Sequence, residues 1–382
     1  MLANRPYQPA CILQEMVVNL TGNRHQWPIV LLLSLSVLLL PHTAWAKWYL
    51  LASVHPNNLV VIDTDTDKVV KDIALQGRGP AMNIAPNPAH PQYAYVVNDL
   101  AQSVAMVDLD EGKQVTSFPL SNNDELVRTM AIDINPQGNR LFIHEMPVKK
   151  SPGRYDAKEN RIKVIDLDTN KVLTTFPAPR QVMAMASSKD GKRLYVFSIG
   201  QNISVFDAEK GTQIDTIPLV NRNVTGIART DGLPVWNPYQ ENNYLLSFGV
   251  VTSDSLTGQM TVGIASLDLS QPDPELKTAE LQPYTAENYN LTGLLSAKNN
   301  KVYFSYNSLW KMDPKTRRVE KTASLSNTYF APMLHPDGKK LYCGANWHDL
   351  AVFDAETLEP LTKIELGHSQ SGAGNDLRFV QR

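Results

Sequence analysis

The chain has 382 residues, 43% of them hydrophobic and 19% charged, with a formal net charge of −2. This is ordinary globular composition with ample length to bury a core, and it lacks the basic signature of a nucleic-acid binder. Length alone suggests two or three domains, although β-architectures often use as much chain for one.

In chain order, the first predicted element is a targeting segment. Arg24 and His25 precede an apolar run, Ile29 to Leu40, and Ala44 and Ala46 complete an A-x-A site. This reads as a cleaved secretory signal over residues 1–46, with cleavage after Ala46 and export to the periplasm. The run is short of the ~20 apolar residues of a comfortable span, so no membrane span is expected in the mature chain. An uncleaved anchor is the alternative, and Met16 competes with Met1 as the start. Cleavage also removes Cys11 and leaves Cys343 alone, so no internal disulfide is expected.

The next element, VVIDTDTDKVV at residues 60–70, poses a choice between a calcium loop and a hairpin. Counted from Asp63, the sixth position of an EF-hand loop is Lys68 and the twelfth is Ala74, where Gly and a bidentate Glu are required. The hairpin fits: β-branched runs flank a turn of Asp and Thr, with Asp65 and Asp67 expected in its exposed part.

The same phrase then recurs. Its aspartates are Asp63, Asp108, Asp166, Asp207, Asp268, Asp313 and Asp354, spaced by 45, 58, 41, 61, 45 and 41 residues. A second phrase precedes most copies: an apolar strand, a Pro/Asp/Gly/Asn turn and an aromatic-rich strand, as in MASSKDGKRLYVFS from Met185. Two strands per phrase make four antiparallel strands per repeat, the period of a β-propeller blade. The mature chain begins with a second-type strand, KWYLLAS, and ends with an unpaired one, NDLRFVQR from Asn375. The expected fold is therefore all-β: one seven-bladed propeller over residues 47–382, closed by the C-terminal strand completing the first blade. Each recurring Asp is expected to end a third strand and bond the amides of its turn.

Turns joining strands one to two and three to four share one face, here called the turn face, and they are short. The remaining connections share the loop face. Pro147 to Asn160 is inserted there in the third blade and Val250 to Thr261 in the fifth, while Val220 to Gly232 and the stretch from Gln282 lead into blades. Long connections carry binding, so the loop face is the candidate functional face. Strand ends there collect Asn98, Asp99, His144, Glu145, Asn307, Tyr329, Phe330, Trp347 and His348. They form either a pocket or partner surface, or aromatic wedges and loop-satisfying polar groups. G-x-S-x-G, H-E-x-x-H, Walker and C-x-x-C-H motifs are absent, and the histidines lack metal-ligand spacing. No catalytic residue, metal or covalent haem is expected in this chain.

YVVNDLAQSVAMVDLDEGKQVTSFPL, from Tyr95, resembles the YVTN propeller repeat. Over the whole mature chain, the run of phrases is similar to the β subunit of bacterial quinohemoprotein amine dehydrogenase. That resemblance implies a periplasmic heterotrimer with a dihaem α subunit and a small γ subunit bearing cysteine tryptophylquinone. The propeller would dock both and wall the pocket for oxidative deamination of primary amines, with c-type haem and quinone on the partners. A stand-alone YVTN binding or surface protein and a lactonase-like propeller enzyme remain open, the latter requiring convergent charged residues at the central channel.

Overall fold

The computed structural model describes residues 46–198, 202–219, 227–232, 244–254, 256–283, 292–345, 347–369 and 377–382. The expected signal segment up to residue 45 and most of the stretches 220–232 and 282–290 lie outside the described residues or side chains. Lys47–Arg382 forms one compact unit, built from seven antiparallel sheets.

The first blade explains the rest. Within Asn58–Asp63 the run Leu59, Val60, Val61 and Ile62 is apolar and buried, whereas Lys68–Ala74 alternates exposed and covered positions. A strand sandwiched between two neighbouring blades needs an apolar run on both faces, and an outer strand needs only one. Trp48–Val54 pairs with Asn58–Asp63 on one side and with Leu377–Gln381 on the other. The register runs from Trp48 opposite Gln381 to Ala52 opposite Leu377, and Lys47 and Arg382 exchange backbone hydrogen bonds beyond it. The C-terminal strand therefore completes the first blade, as the unpaired ends required.

Each pair of adjacent blades shares one apolar cluster. Leu51 and Val61 pack on Ile84 and Val96 between the first two blades, and Leu50 and Phe379 pack on Tyr342 and Val352 between the last and the first. Equivalent clusters join the five remaining neighbours. The ring is closed by packing as well as by hydrogen bonds, and this removes the open sheet edges.

All seven recurring aspartates do what the turn requires. Asp63 accepts hydrogen bonds from the amides of Asp65 (2.9 Å) and Thr66 (3.2 Å). Asp108, Asp207, Asp313 and Asp354 do the same with the second and third residues after them. Asp166 takes the amide and hydroxyl of Thr169, and Asp268 those of Ser270. These bonds are strong enough to hold carboxyls below their usual range: the Lys210 amide acts chiefly on Asp207 and the Thr357 amide on Asp354. Four residues after the aspartate, six of the hairpins place a left-handed residue: Asp67, Gly112, Asn170, Gly211, Arg317 and Leu358.

Asp67 departs from its expected place in a solvated turn. Its carboxylate takes the Tyr342 hydroxyl at 2.7 Å and Lys340 Nζ at 2.7 Å, and its side chain is only 13% exposed. It latches the first blade to the last. Tyr342 belongs to a series: Tyr95, Tyr195, Tyr303 and Tyr342 stand two residues after the partner of the recurring Asp, all buried. The Tyr303 hydroxyl likewise reaches the next blade, donating to the Ala355 carbonyl at 2.9 Å.

The insertions are strands. In the third blade Arg140–Ser151 runs on past the blade, turns, and returns as Arg154–Ala157, while Glu125–Arg128 pairs on its other side. This blade thus carries two strands beyond the expected four. In the fifth blade Leu245–Asp254 and Met260–Asp268 form a long hairpin, and Ile227–Gly232 pairs with the far end of the first of them, from Val250 to Asp254. Both extensions stand on the loop face.

Candidate functional site

The nine sequence-selected residues fall in three groups on the loop face. In the second blade, Asn98 ends its strand and donates from Nδ2 to the Gln76 carbonyl at 2.8 Å. Asp99, Leu100 and Ala101 follow in left-handed conformation, with φ of 50°, 56° and 65°. Asp99 anchors that turn by accepting from the Arg78 amide at 3.0 Å. Gly77 lies behind it with φ +92°, and a Cβ there would lie 3.0 Å from that of Asp99. A side chain on Gly77 would strain the backbone and crowd Asp99. These residues lock the connection between the first and second blades.

In the third blade His144 and Glu145 are fully buried. Glu145 Oε2 accepts from Arg161 Nε at 2.6 Å, Oε1 meets Lys163 Nζ, and Arg161 reaches on to Glu125 at 3.0 Å. This network bridges the blade body and the base of its extension. His144 Nε2 faces Asn160 Nδ2 at 3.3 Å. Burial pushes the His144 pKa down to about 4. His144 is therefore neutral at pH 7. In the unfolded chain it titrates near 6.5, so its contribution is complete above that pH and is lost as the pH falls towards 4. The loss is roughly 3 kcal/mol at most. Urea unfolding at pH 7 and pH 4.5 measures it: His144→Gln is expected to lose less stability between the two than the parent protein.

The sixth and seventh blades bring the other five together. Thr328 links two of them, donating its hydroxyl to Asn307 Oδ1 at 3.1 Å and accepting from Trp347 Nε1 at 3.0 Å through its carbonyl. Tyr329 is buried and donates to Asp349 at 2.8 Å, Phe330 packs on Tyr306 with ring centres 6.4 Å apart, and the His348 carbonyl accepts from Leu366. Trp347 remains partly exposed.

Two observations mark this face as more than a set of closed loops. The buried atoms Ser53 Oγ, Asn57 Oδ1, Asn98 Oδ1, His144 Nδ1 and Ser198 Oγ have no hydrogen-bond partner among the described residues. All but His144 Nδ1 lie at the loop-face end of second strands or just beyond, and buried polar atoms ordinarily find partners. The extensions, moreover, expose apolar tips: Tyr155 is 71% and Leu256 80% accessible.

The cavities lie elsewhere. One of about 300 Å³ is lined by Trp48, Pro86, Tyr244, Met333 and Phe379, where inner strands meet the turn face. A narrower one of about 40 Å³ is lined by Asp133, Ser187 and Arg378 from the inner strands of the third, fourth and first blades. Sequence reasoning missed these three. Their signal is a charged or hydroxyl residue inside an otherwise apolar strand, as in AIDI from Ala131. Among the described residues no cluster of three or more His, Cys, Asp or Glu is arranged to hold a metal.

This architecture defines a seven-bladed β-propeller with a built-up loop face and a lined central channel. No protein-family model matches the chain, and no curated protein sequence matches it. Solved structures match in number, 1448 chains, so the fold does not by itself select an activity. A chain of Kuenenia stuttgartiensis hydrazine synthase matches with a TM-score of 0.57 and 15% identity, over 79% of this chain and 90% of that one. A functionally unknown protein from Desulfotomaculum acetoxidans DSM 771 matches with a TM-score of 0.54 and 16% identity, over 88% and 99%. At these identities the likeness is one of fold.

Proposed function

We propose that this propeller is the β subunit of a periplasmic quinohemoprotein amine dehydrogenase, exported by its N-terminal signal. It docks a dihaem α subunit and a small quinone-bearing γ subunit on its loop face and walls the pocket in which primary amines are deaminated. The observation that carries the docking role is the loop face itself. Two strand extensions rise from it, their tips expose Tyr155 and Leu256, and buried polar atoms at strand ends on the same face lack hydrogen-bond partners among the described residues. Exposed apolar side chains on raised hairpins suit burial against another chain. The choice of this enzyme rests on the resemblance carried by the repeats from Lys47 onward. In this reading haem and quinone chemistry stay with the partners, and this chain binds and shapes.

Purification of the protein from its native source tests the reading. Co-purification with a haem-absorbing chain and a small quinone-staining chain is expected, together with amine-dependent dye reduction. Isolation as a lone chain without haem absorbance would overturn it.

A second reading, the stand-alone propeller enzyme, has one observation in its favour: Asp133 and Arg378 line the channel neck. It requires turnover by the isolated chain.

A further inference from the structure

The wide cavity at the turn-face end of the channel is built for an uncharged ligand. Trp48 and Phe379 meet edge to face at 6.4 Å, and Phe379 is backed by His335 at 5.4 Å and Tyr342 at 5.8 Å. Rings braced in this way make a firm wall, which binds without a large ordering penalty. Met333 and Pro86 extend the apolar lining, and among the described residues no Lys, Arg, Asp or Glu side chain lines this cavity. Its volume is about 300 Å³, roughly twice that of an apolar cavity known to accept benzene, about 150 Å³. A bicyclic aromatic body matches that size.

The polar groups within reach are neutral. The wall draws on the strands Met82–Pro86, Ala331–Leu334 and Leu377–Gln381, each of which ends its sheet. The outer edge of such a strand carries backbone N–H and C=O groups outside the ladder, and here that edge looks into the channel. Asn87, also on the wall, is already engaged: it donates to the Gly138 carbonyl at 2.8 Å and accepts from the amides of Ala89 and His90.

Charges stand only in the neck beyond, and they are met within the protein. Arg378 donates from Nη1 to the Leu377 carbonyl at 3.0 Å, and Asp133 accepts from the Ser187 hydroxyl. The neck, about 40 Å³, has room for water and none for a ring.

We infer that the channel mouth on the turn face binds an uncharged bicyclic aromatic molecule, seated against Trp48 and Phe379, with a neutral N–H or O–H group meeting an open backbone edge. This site is independent of the docking reading, because it lies at the opposite end of the channel from the loop face.

Calorimetric titration of the purified protein, with any chains that accompany it, against indole, indole-3-acetate and tryptamine tests the inference. Indole is expected to bind tighter than either charged probe, since the wall offers no counter-charge to offset the lost hydration of an ion. Met333→Trp fills the wide part and is expected to weaken indole binding at least about tenfold. Met333 is buried, so a misfolded Met333→Trp is replaced by Gln381→Trp, which narrows the mouth from an exposed position on the same wall. Absence of indole binding, tighter binding of indole-3-acetate or tryptamine, or indole affinity unchanged in the folded variant would each overturn the inference.

Discussion

Deleting Leu377–Arg382 is expected to abolish the folded ring. The segment supplies the innermost strand of the first blade and buries Leu377, Phe379 and Val380. Each such side chain is worth about 1.5–3 kcal/mol on burial, and the marginal stability of a domain is only about 5–15 kcal/mol. The deletion also leaves Leu50 and Leu51 on an open edge, a template for pairing with other chains. The expected outcome is an insoluble or unfolded product. A graded version keeps the chain whole: Phe379→Ala removes the ring that touches Trp48, His335 and Tyr342 and is expected to cost about 3–5 kcal/mol. A urea midpoint unchanged in either variant would mean that closure does not hold the ring together.

The second large effect is expected at the Glu145 network. Glu145 is fully buried, whereas Arg161 and Lys163 keep part of their side chains in solvent. Arg161→Met leaves a buried carboxylate with Lys163 as its remaining cationic partner among the described residues. Breaking one side of such a pair costs about 3–5 kcal/mol, with the low end expected here because Lys163 remains. Glu145→Gln retains the shape, and its two cations can turn towards water, so its cost is expected to be smaller. The double variant is expected to lose clearly less than the sum of the two, since no uncompensated charge is left behind. Strict additivity in urea unfolding would contradict a coupled network.

Much of the fold was legible because each blade repeats local physics. A carboxylate that ends a strand and binds its own turn amides needs only a few residues, and Asp108 followed by Asp110 and Glu111 says as much from sequence as from structure. The run of buried residues in Asn58–Asp63 against the alternation of Lys68–Ala74 is equally local. The unpaired ends were legible by elimination, because a strand without a partner must find one.

What was hidden depends on partners far away in the chain. Asp67 looked like any turn aspartate, yet its ligands Lys340 and Tyr342 lie 273 and 275 residues on. The third-blade insertion, Pro147 to Asn160, reads in the sequence only as a long connection. The strand Glu125–Arg128, from the connection before that blade, gives it a pairing partner that sequence spacing does not announce. At the candidate site, residue type does not reveal the contacts each side chain makes, and His144 and Glu145 lie inside the long strand Arg140–Ser151 instead of at a strand end. Asn98 and Asp99 hold a tight connection, Glu145 balances two cations, and Asp133 and Arg378 acquire meaning only when inner strands from different blades surround one axis.

Site-specific photo-crosslinking tests the central claim, a propeller whose loop face is a docking surface, most directly. A photoreactive phenylalanine analogue at Tyr155, Leu256 or Trp347 samples that face, and one at Val70 or Val172 samples the exposed outer strands. In cells of the native source, the loop-face positions are expected to capture a haem-bearing chain and a small quinone-bearing chain, and the outer positions neither. Capture of those chains from Val70 or Val172 with none from Tyr155, Leu256 or Trp347, or no capture anywhere, would contradict the account.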